Sequence, residues 1–354
     1  MHKCILYKKK EDKKVECQAC NWYCNIPEGL TGICGVRQNK GGDLYLLVYG
    51  KAIAAHLDPI EKKPLFHFLP GTEVFSIGTV GCNFRCLFCQ NWDISQVPHL
   101  IKQEQTDPKK QNIKLGEITE MGQDLPPEKI VEYCVENDIP SIAYTYNEPA
   151  IFFEYAYDTA KLAHKKGIKN VFVSNGFESK EALKKIHPYL DAINIDLKGF
   201  TDEFYTKICS GKLQPVLDNI KSVYEMGIWL EVTTLVIPGK NDSEQELAQI
   251  AEFVASVSDE IPWHVTAFYP HYKMQDIEPT PPETLERAYK IGKKAGLKYV
   301  YTGNIPGMKG ENTNCPKCEE EIITRWGLVS EKCDVDEKGK CKKCGHKIPG
   351  VWKK

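Results

Sequence analysis

The chain has little arginine, little net charge and no long hydrophobic run. Only four of its 354 residues are arginine, so a bidentate arginine clamp for phosphate has few candidates. The formal net charge of −2 gives no overall attraction to nucleic acid or to an anionic membrane. No apolar run reaches the roughly 18 residues that span a bilayer, and the N-terminus lacks the apolar segment of a signal peptide. These absences predict a protein without a membrane partner.

Cysteine, in contrast, is abundant. Fifteen cysteines occur in a chain without a secretory signal, which favours metal sites over a disulfide framework. This composition predicts a reducing, cytoplasmic location.

The central cysteine group is Cys82, Cys86 and Cys89, at Cys-x3-Cys-x2-Cys spacing after the apolar run Val74–Val80. Three thiolates on one loop can hold three irons of a cubane 4Fe–4S cluster and leave the fourth iron open. An open iron suits a ligand that chelates through an amine and a carboxylate, as the methionine end of S-adenosylmethionine does. A zinc knuckle is the alternative, but zinc prefers four ligands and no fourth Cys or His follows closely. The spacing therefore favours the cluster.

Residues 1–68 form a predicted N-terminal module with four cysteines within 18 residues. Cys17, Cys20, Cys24 and Cys34 could close a tetrahedral thiolate site. Zinc and an auxiliary Fe–S cluster are both chemically possible, since each accepts four thiolates, and buried unligated thiols are the third alternative. Further along, Leu44–Tyr49 and Ala52–His56 are predicted to pair as a hairpin through a turn at Gly50-Lys51.

Residues 307–354 form a predicted C-terminal module with two Cys-x2-Cys pairs, 22 residues apart. This spacing is typical of a zinc ribbon, a closed structural site, with rubredoxin-like iron as the main alternative. Cys333 and His346 are spare groups that we interpret as bystanders. The predicted ligands are Cys315, Cys318, Cys341 and Cys344.

Between the two modules, over residues 69–306, short apolar runs alternate with stretches of helical periodicity. The alternation predicts an α/β fold with a parallel sheet, and six or seven such units suit a partial or complete (β/α) barrel. One polar stretch, Ile101–Asp124, lacks apolar periodicity and predicts a mobile excursion. The predicted strands are Val74–Val80, Ser141–Thr145, Asn170–Val173, Ala192–Asp196, Trp229–Val236, His264–Phe268 and Tyr299–Tyr301. The predicted helices are Glu128–Glu136, Phe152–Lys166, Lys180–Ile186, Pro215–Glu225, Glu244–Val257 and Pro282–Lys294.

The cysteine loop and its flanks, from Gly78 to Trp92, resemble the radical S-adenosylmethionine superfamily, in the branch that includes pyruvate formate-lyase activating enzymes. The chain is still more similar to the radical enzyme of the AmmeMemoRadiSam system. That likeness extends to Asp58–His67 and to Thr145–Pro149, and it covers nearly the whole chain. The motifs are specific for the enzyme class and not for a substrate.

The resemblance implies an open (β/α)6 barrel, with a 4Fe–4S cluster and S-adenosylmethionine as cofactors. The implied reaction is reductive cleavage of S-adenosylmethionine to methionine and a 5′-deoxyadenosyl radical, which abstracts hydrogen from an unknown substrate. An electron donor such as a flavodoxin or ferredoxin, and the other AmmeMemoRadiSam proteins, are the implied partners. Glycyl-radical activation of a partner enzyme is an alternative. A non-catalytic metal-binding interaction protein is another, although docking by the cysteine-rich ends would not explain the central loop.

The resemblance also marks cofactor-binding candidates at strand ends. Glu148 matches the Glu of the family's Gly-Gly-Glu-Pro turn, which holds the amino group of S-adenosylmethionine, while Tyr146 and Asn147 replace the two glycines. Asn147 is itself a cofactor-binding candidate. Apart from the resemblance, Ser174 and Asn175 end the third predicted strand, where their polar groups could bind the ribose hydroxyls; an ordinary turn is the alternative.

Asp196 and Lys198 end the fourth strand. They are similar to an Asp-x-Lys pair that related activating enzymes use around the cofactor carboxylate and the substrate. We therefore expect both to be catalytic and Asp196 also to bind the cofactor. A structural ion pair is the alternative.

Overall fold

The structure is a computed structural model that describes residues 1–105 and 107–353. The chain divides into two compact units, one of residues 1–57 and 74–191, the other of residues 58–73 and 192 onward. The bounds given above for three sequence modules stay a prediction. Among the described residues, no helix has both the length and the apolar composition needed to cross a membrane.

The first unit begins with short strands. Strand β5 pairs antiparallel with β6, and β6 also pairs with β1. The strands are β1 (His2–Lys3), β2 (Tyr7–Lys9), β3 (Val15–Cys17), β4 (Asn25–Ile26), β5 (Arg37–Lys40), β6 (Asp43–Leu46), β7 (Lys51–Ala52) and β8 (Ala54–Pro59).

The hairpin predicted around Gly50 is wrong. The turn lies at Gly41-Gly42, where φ is 65° and 88°, and it joins Lys40 to Asp43. Two glycines adopt the positive φ angles of a two-residue hairpin turn without steric cost, so they outcompete Gly50-Lys51.

The parallel part of the first unit carries three strands, with β11 between β9 and β12. Because parallel strands end at the same edge of a sheet, the loops after all three strands meet there. Every residue of β11 is buried. The elements are β9 (Glu73–Gly78), α1 (Trp92–Ser95), α2 (Val97–Glu104), α3 (Pro108–Glu117), β10 (Gln123–Asp124), α4 (Pro127–Glu136), β11 (Ser141–Tyr144), α5 (Phe153–Lys165), β12 (Lys169–Ser174) and α6 (Lys180–Ile186).

The stretch Ile101–Asp124 is predicted to be a mobile excursion, but its described residues are largely helical; residue 106 lies outside the described residues. It contains the end of α2 and all of α3, followed by a 3-10 turn at Ile118–Glu120. Leu115 and Ile118, one helical turn apart, are both fully buried. Two anchors at this spacing are enough to dock a polar helix, although they are too few to give a periodic pattern.

The second unit carries four parallel strands in chain order, β13 to β16, followed by an antiparallel sheet. All seven strands and six helices predicted from the sequence are present in the two units, which confirms a mixed α/β fold, while closure into a barrel stays a prediction. The elements are β13 (Ala192–Asp196), α7 (Asp202–Phe204), a π-helical turn (Tyr205–Cys209), α8 (Leu213–Glu225), β14 (Trp229–Val236), α9 (Glu244–Val257), β15 (Trp263–Ala267), α10 (Pro282–Lys294), β16 (Val300–Gly303), β17 (Thr313–Asn314), β18 (Glu321–Trp326) and β19 (Val329–Cys333).

A buried polar network supports the core of the second unit. The Glu231 carboxylate accepts hydrogen bonds from the backbone N–H groups of Phe66 and His67, at 2.9 and 2.8 Å, and from the Trp229 indole at 3.0 Å. The ring of His264 lies 2.6 Å from the same carboxylate. Glu231 therefore fastens the segment 58–73 to β14 and β15, and His264 is a satisfied structural residue.

Candidate functional site

The central cysteines lie on the loop that follows β9. Cys82 and Cys86 are buried and Cys89 is half-buried. Within the described residues, the C-terminal cysteines form the only group of three or more potential metal ligands that all lie within 4.8 Å of one another. The three central sulfur atoms thus do not all lie within 4.8 Å of one another. Thiolates that bind three separate irons of one cluster do not need to lie that close.

Two asparagine side chains fix this loop to the turn after β11. The Asn147 amide donates to the carbonyls of Thr79 and Gly81, at 2.8 and 2.7 Å, and its oxygen accepts from Thr79 N–H at 3.3 Å. The Asn91 amide donates to the carbonyl of Tyr146 at 2.6 Å. The loop and the turn therefore hold each other in position.

Tyr146 adopts a backbone conformation that glycine would favour. Its φ is 69°, in the left-handed region, where a residue with a Cβ loses about 1–2 kcal/mol. Opposite it, a Cβ on Gly78 would lie 2.8 Å from the carbonyl oxygen of Thr145, so Gly78 permits the close approach of the two strand ends. Tyr146 thus has the left-handed backbone conformation that glycine adopts most easily. It occupies one of the two positions at which the family that this chain resembles has glycine.

Glu148 is fully buried, and its carboxylate joins the ends of β11 and β12. It accepts from the N–H groups of Ala150 at 3.0 Å and Asn175 at 2.9 Å, and from the Ser174 hydroxyl at 3.1 and 3.2 Å. A carboxylate has about four acceptor positions, so these contacts engage both oxygens. Burial first, and then the nearby Glu178 carboxylate, raise the pKa of Glu148 well above its usual value.

Ser174 and Asn175 extend this network to the cysteine loop. The Ser174 oxygen also accepts from Gly176 N–H at 2.9 Å. The Asn175 amide donates to the side-chain oxygen of Asn83, the residue after Cys82, at 2.7 Å. The sequence analysis did not predict a function for Asn83. Its position between two cysteines of the motif was the feature that could have indicated one. The predicted residues Asn147, Glu148, Ser174 and Asn175 are thus brought together with the cysteine loop.

Asp196 and Lys198 lie in the second unit, at the end of β13. Their side chains form an ion pair at 2.8 Å and keep 33% and 14% of their surface exposed, respectively. The backbone of Lys198 is held from both sides, since its N–H donates to the Tyr205 hydroxyl at 3.1 Å and its carbonyl accepts from the Asn241 amide at 2.7 Å. Tyr205 opens a π-helical turn, a rare element that is frequent at functional sites. The pair is thus rigidly mounted and open to a ligand.

The C-terminal cysteines form a compact tetrad. The Cys315 and Cys344 sulfurs are 3.6 Å apart, and those of Cys318 and Cys341 are 3.9 Å apart. Four sulfurs about 2.3 Å from one ion would lie about 3.8 Å from one another by tetrahedral geometry. Neither Cys333 nor His346 belongs to the group. The tetrad therefore has the dimensions of a closed single-ion site.

The N-terminal cysteines lie around one cavity in the first unit. Cys17, Cys20 and Cys34 are buried and Cys24 is half-buried. All four line the cavity, together with the side chain of Arg37. The four predicted ligands thus line the same cavity. Their sulfur atoms do not lie as close to one another as those of the C-terminal tetrad.

Comparison with known proteins gives a family and a set of relatives. Residues 76–254, just over half of the chain, match the model of the Radical SAM superfamily. An uncharacterized protein of Methanocaldococcus jannaschii is 44% identical over 350 residues, which cover 98% of this chain and 99% of that protein. Pyruvate formate-lyase 1-activating enzyme of Escherichia coli is 22% identical over 242 residues, which cover 62% of this chain and 89% of that enzyme.

Among solved structures, the chain is similar to a domain of pyruvate-formate lyase-activating enzyme from Bacteroides vulgatus. The identity is 22% and the TM-score 0.41, over 46% of this chain and 98% of that domain.

Proposed function

We propose that this chain, which belongs to the Radical SAM superfamily, binds a 4Fe–4S cluster on Cys82, Cys86 and Cys89 and cleaves S-adenosylmethionine reductively. The observation that carries the proposal is the cysteine loop itself, with three separated sulfurs at a strand end and a backbone fixed by Asn147. When bound, the cluster and S-adenosylmethionine supply radical chemistry that begins with transfer of one electron. An electron donor such as a flavodoxin or ferredoxin is the proposed source of that electron.

The residues of the site fit these cofactors. Burial first, and then the Glu148 carboxylate, raise the pKa of the Cys82 thiol well above its usual value, so bound iron is needed to keep it as a thiolate. The neighbouring backbone contributes, since Phe84 N–H lies 3.4 Å from the Cys82 sulfur and can donate to it. Without a bound metal, the loop therefore disfavours a free thiolate at Cys82.

We assign the residues after β11 and β12 to S-adenosylmethionine. Asn147 fixes the turn against the cysteine loop, and Ser174 and Asn175 present short polar groups beside it. Glu148 serves the cofactor by holding this arrangement and by offering its carboxyl oxygens as acceptors to the amino group. Its engaged oxygens support a positioning role in addition to direct binding.

Asp196 and Lys198 are the proposed catalytic pair in the second unit. A partly exposed ion pair at the end of β13, with its backbone hydrogen-bonded to a π-helical turn, can bind a carboxylate through the lysine and a polar hydrogen through the aspartate. Lys198→Met keeps most of the side-chain volume and removes the charge. We expect it to abolish substrate-dependent turnover while cluster content stays at the wild-type value. A merely structural surface pair would change only stability, by about 0–1 kcal/mol.

The decisive experiment measures 5′-deoxyadenosine and methionine after anaerobic reconstitution of the full chain, with a strong reductant and S-adenosylmethionine. We expect both products from the wild type and from Cys134→Ala, a matched buried cysteine on α4. The variant with Cys82, Cys86 and Cys89 all changed to alanine should form neither. Equal product formation by that variant would contradict the assignment of the cluster to these cysteines. No product from iron-loaded wild type would contradict the proposal and leave a non-catalytic metal-binding protein.

Glycyl-radical activation is the second candidate function. The relative from Escherichia coli that covers 62% of this chain is named as an activating enzyme for pyruvate formate-lyase, which favours a glycine in a partner polypeptide as the substrate. Electron paramagnetic resonance of the chain incubated with candidate glycyl-radical enzymes tests this. A protein-borne radical that depends on Cys82, Cys86 and Cys89 would support it.

A further inference from the structure

We infer that Cys17, Cys20, Cys24 and Cys34 bind a polynuclear iron–sulfur cluster and not a zinc ion. This site is additional to the cluster proposed on the central loop and does not depend on it.

The spacing of the sulfurs is the first observation. The four cysteines line one cavity together with eight other residues. A zinc ion about 2.3 Å from each of four sulfurs would hold the sulfurs about 3.8 Å apart. No three of these four sulfurs lie within 4.8 Å of one another, while all four of the C-terminal tetrad do. In this respect the N-terminal cysteines match the central loop and differ from the C-terminal tetrad.

Two buried N–H donors on residues of the cavity lining are the second observation. Arg37 and Asn83 both belong to that lining, and each residue is only 1% exposed. The Arg37 Nε and the Asn83 Nδ2 have no hydrogen-bond partner among the described residues. A buried polar group without a partner costs about 1–3 kcal/mol, so a missing acceptor is indicated. The thiolate and sulfide atoms of an anionic cluster are such acceptors, and N–H donors of this kind tune its potential.

The charge of Arg37 is already balanced within the protein. Its two terminal nitrogens lie 2.7 and 2.8 Å from the two carboxylate oxygens of Glu154, itself fully buried. This bidentate pair fixes the plane of the guanidinium and leaves the Nε–H without a partner among the described residues. Arg37 is therefore held as a donor and is not a mobile counter-ion.

The N-terminal site adjoins the central cysteine loop. The Trp22 indole, between Cys20 and Cys24, donates to the carbonyl of Asn83 at 3.0 Å. Its ring lies 5.3 Å from that of Phe177, which lies 5.1 Å from the ring of Phe84 on the central loop. Zinc in this place would be redox-inert, whereas an iron–sulfur cluster could exchange electrons with a second cluster nearby.

Metal analysis of the anaerobically purified, reconstituted full chain tests the inference. The wild type should hold about six or eight irons, in place of the four of a single cubane, according to whether the N-terminal cluster has two or four irons. The variant with alanine at positions 82, 86 and 89 should keep about two or four of them. Its reduced form should show a paramagnetic signal that S-adenosylmethionine leaves unchanged, since every iron of that cluster has protein ligands.

Adding Cys20→Ser and Cys24→Ser to this variant should remove the remaining iron, whereas adding Cys134→Ser should not. The iron and zinc content of the wild type tests the inference even if the variants fail to fold. Four irons with about two zinc ions per chain would overturn the inference, and so would a single extra iron in a mononuclear site.

Discussion

The N-terminal and C-terminal cysteine groups contain the same four thiols but differ in how the fold holds them. In the C-terminal group, all four sulfurs lie within 4.8 Å, and Cys318 and Cys344 are partly exposed. In the N-terminal group, the four cysteines line a cavity whose lining also includes Arg37, a fully buried cation. Ligand type and number are therefore not enough to choose a metal, because the space between the sulfurs and the donors around them also count.

The two groups are also supported differently. The C-terminal tetrad shares a hydrophobic cluster with Phe66, Tyr299 and Tyr301, so its core continues into the strand β16. The N-terminal cysteines contact the loop and helix that follow β12, where Asn21 N–H donates to the carbonyl of Phe177 at 2.9 Å. Neither group is a free-standing module, so experiments on both should use the full chain.

Loss of the C-terminal metal should have the largest effect. Structural zinc in small domains contributes about 10–16 kcal/mol of binding free energy. We expect Cys318→Ser with Cys341→Ser to remove about one zinc per chain and to make residues 313–353 sensitive to protease, while the iron content is unchanged. Cys333→Ser, outside the tetrad, is the matched control. Unchanged zinc content in the double variant would contradict the assignment of a single-ion site to these four cysteines.

Breaking the buried ion pair beside the N-terminal cavity should come next. Arg37→Leu leaves Glu154 charged, buried and unpaired, which costs about 3–5 kcal/mol. The exposed pair Lys207–Glu203 supplies the control, since Lys207→Leu should cost about 0.5 kcal/mol or less. Chemical denaturation of the metal-loaded proteins measures both. Similar losses for the two variants would show that the Arg37 pair does not stabilise the N-terminal group as argued.

Acidification should weaken the second unit through His67. Burial lowers the pKa of His67 to about 4, from about 6.5 in an unfolded chain. The unfolded state therefore binds more protons between these values, so the contribution is complete above pH 6.5 and is lost as the pH falls toward 4. It amounts to about 3 kcal/mol at most. Denaturation between pH 7.5 and 5 should show a shallower loss for His67→Gln than for the wild type. Equal slopes would contradict the assignment to His67.

Glu148→Gln should have the smallest of these effects on stability. The change places an amide NH2 where an oxygen now accepts N–H donors, and it removes a hydrogen bond that contributes about 0.5–1.5 kcal/mol. We expect weaker binding of S-adenosylmethionine with the cluster retained, because the ends of β11 and β12 lose their common acceptor. Titration with the cofactor and a denaturant melt measure the two effects separately. Lower stability with unaltered affinity would assign Glu148 to the fold alone.

The sequence by itself determined the strand and helix order and the groups of cysteines. Apolar runs separated by amphipathic stretches are local patterns, and three predicted helices, including Glu244–Val257, have the observed bounds. The cysteine spacing likewise resides in short segments, so Cys82, Cys86 and Cys89 were identified without a structure. The turn at Gly41-Gly42 and the helix α3 were missed because competing local signals, Gly50-Lys51 and a polar composition, were given more weight.

Only the tertiary structure showed which residues that are distant in sequence form hydrogen bonds with one another. Asn147 reaches back to Thr79 and Gly81, and Asn175 reaches Asn83, because parallel strands bring their ends to one edge whatever their separation along the chain. The same holds for the metals. Sequence spacing allowed zinc or a cluster at the N-terminal cysteines, and the distances between sulfurs, with Arg37 folded beside them, favour the cluster. Such distances depend on packing between segments, which no local pattern encodes.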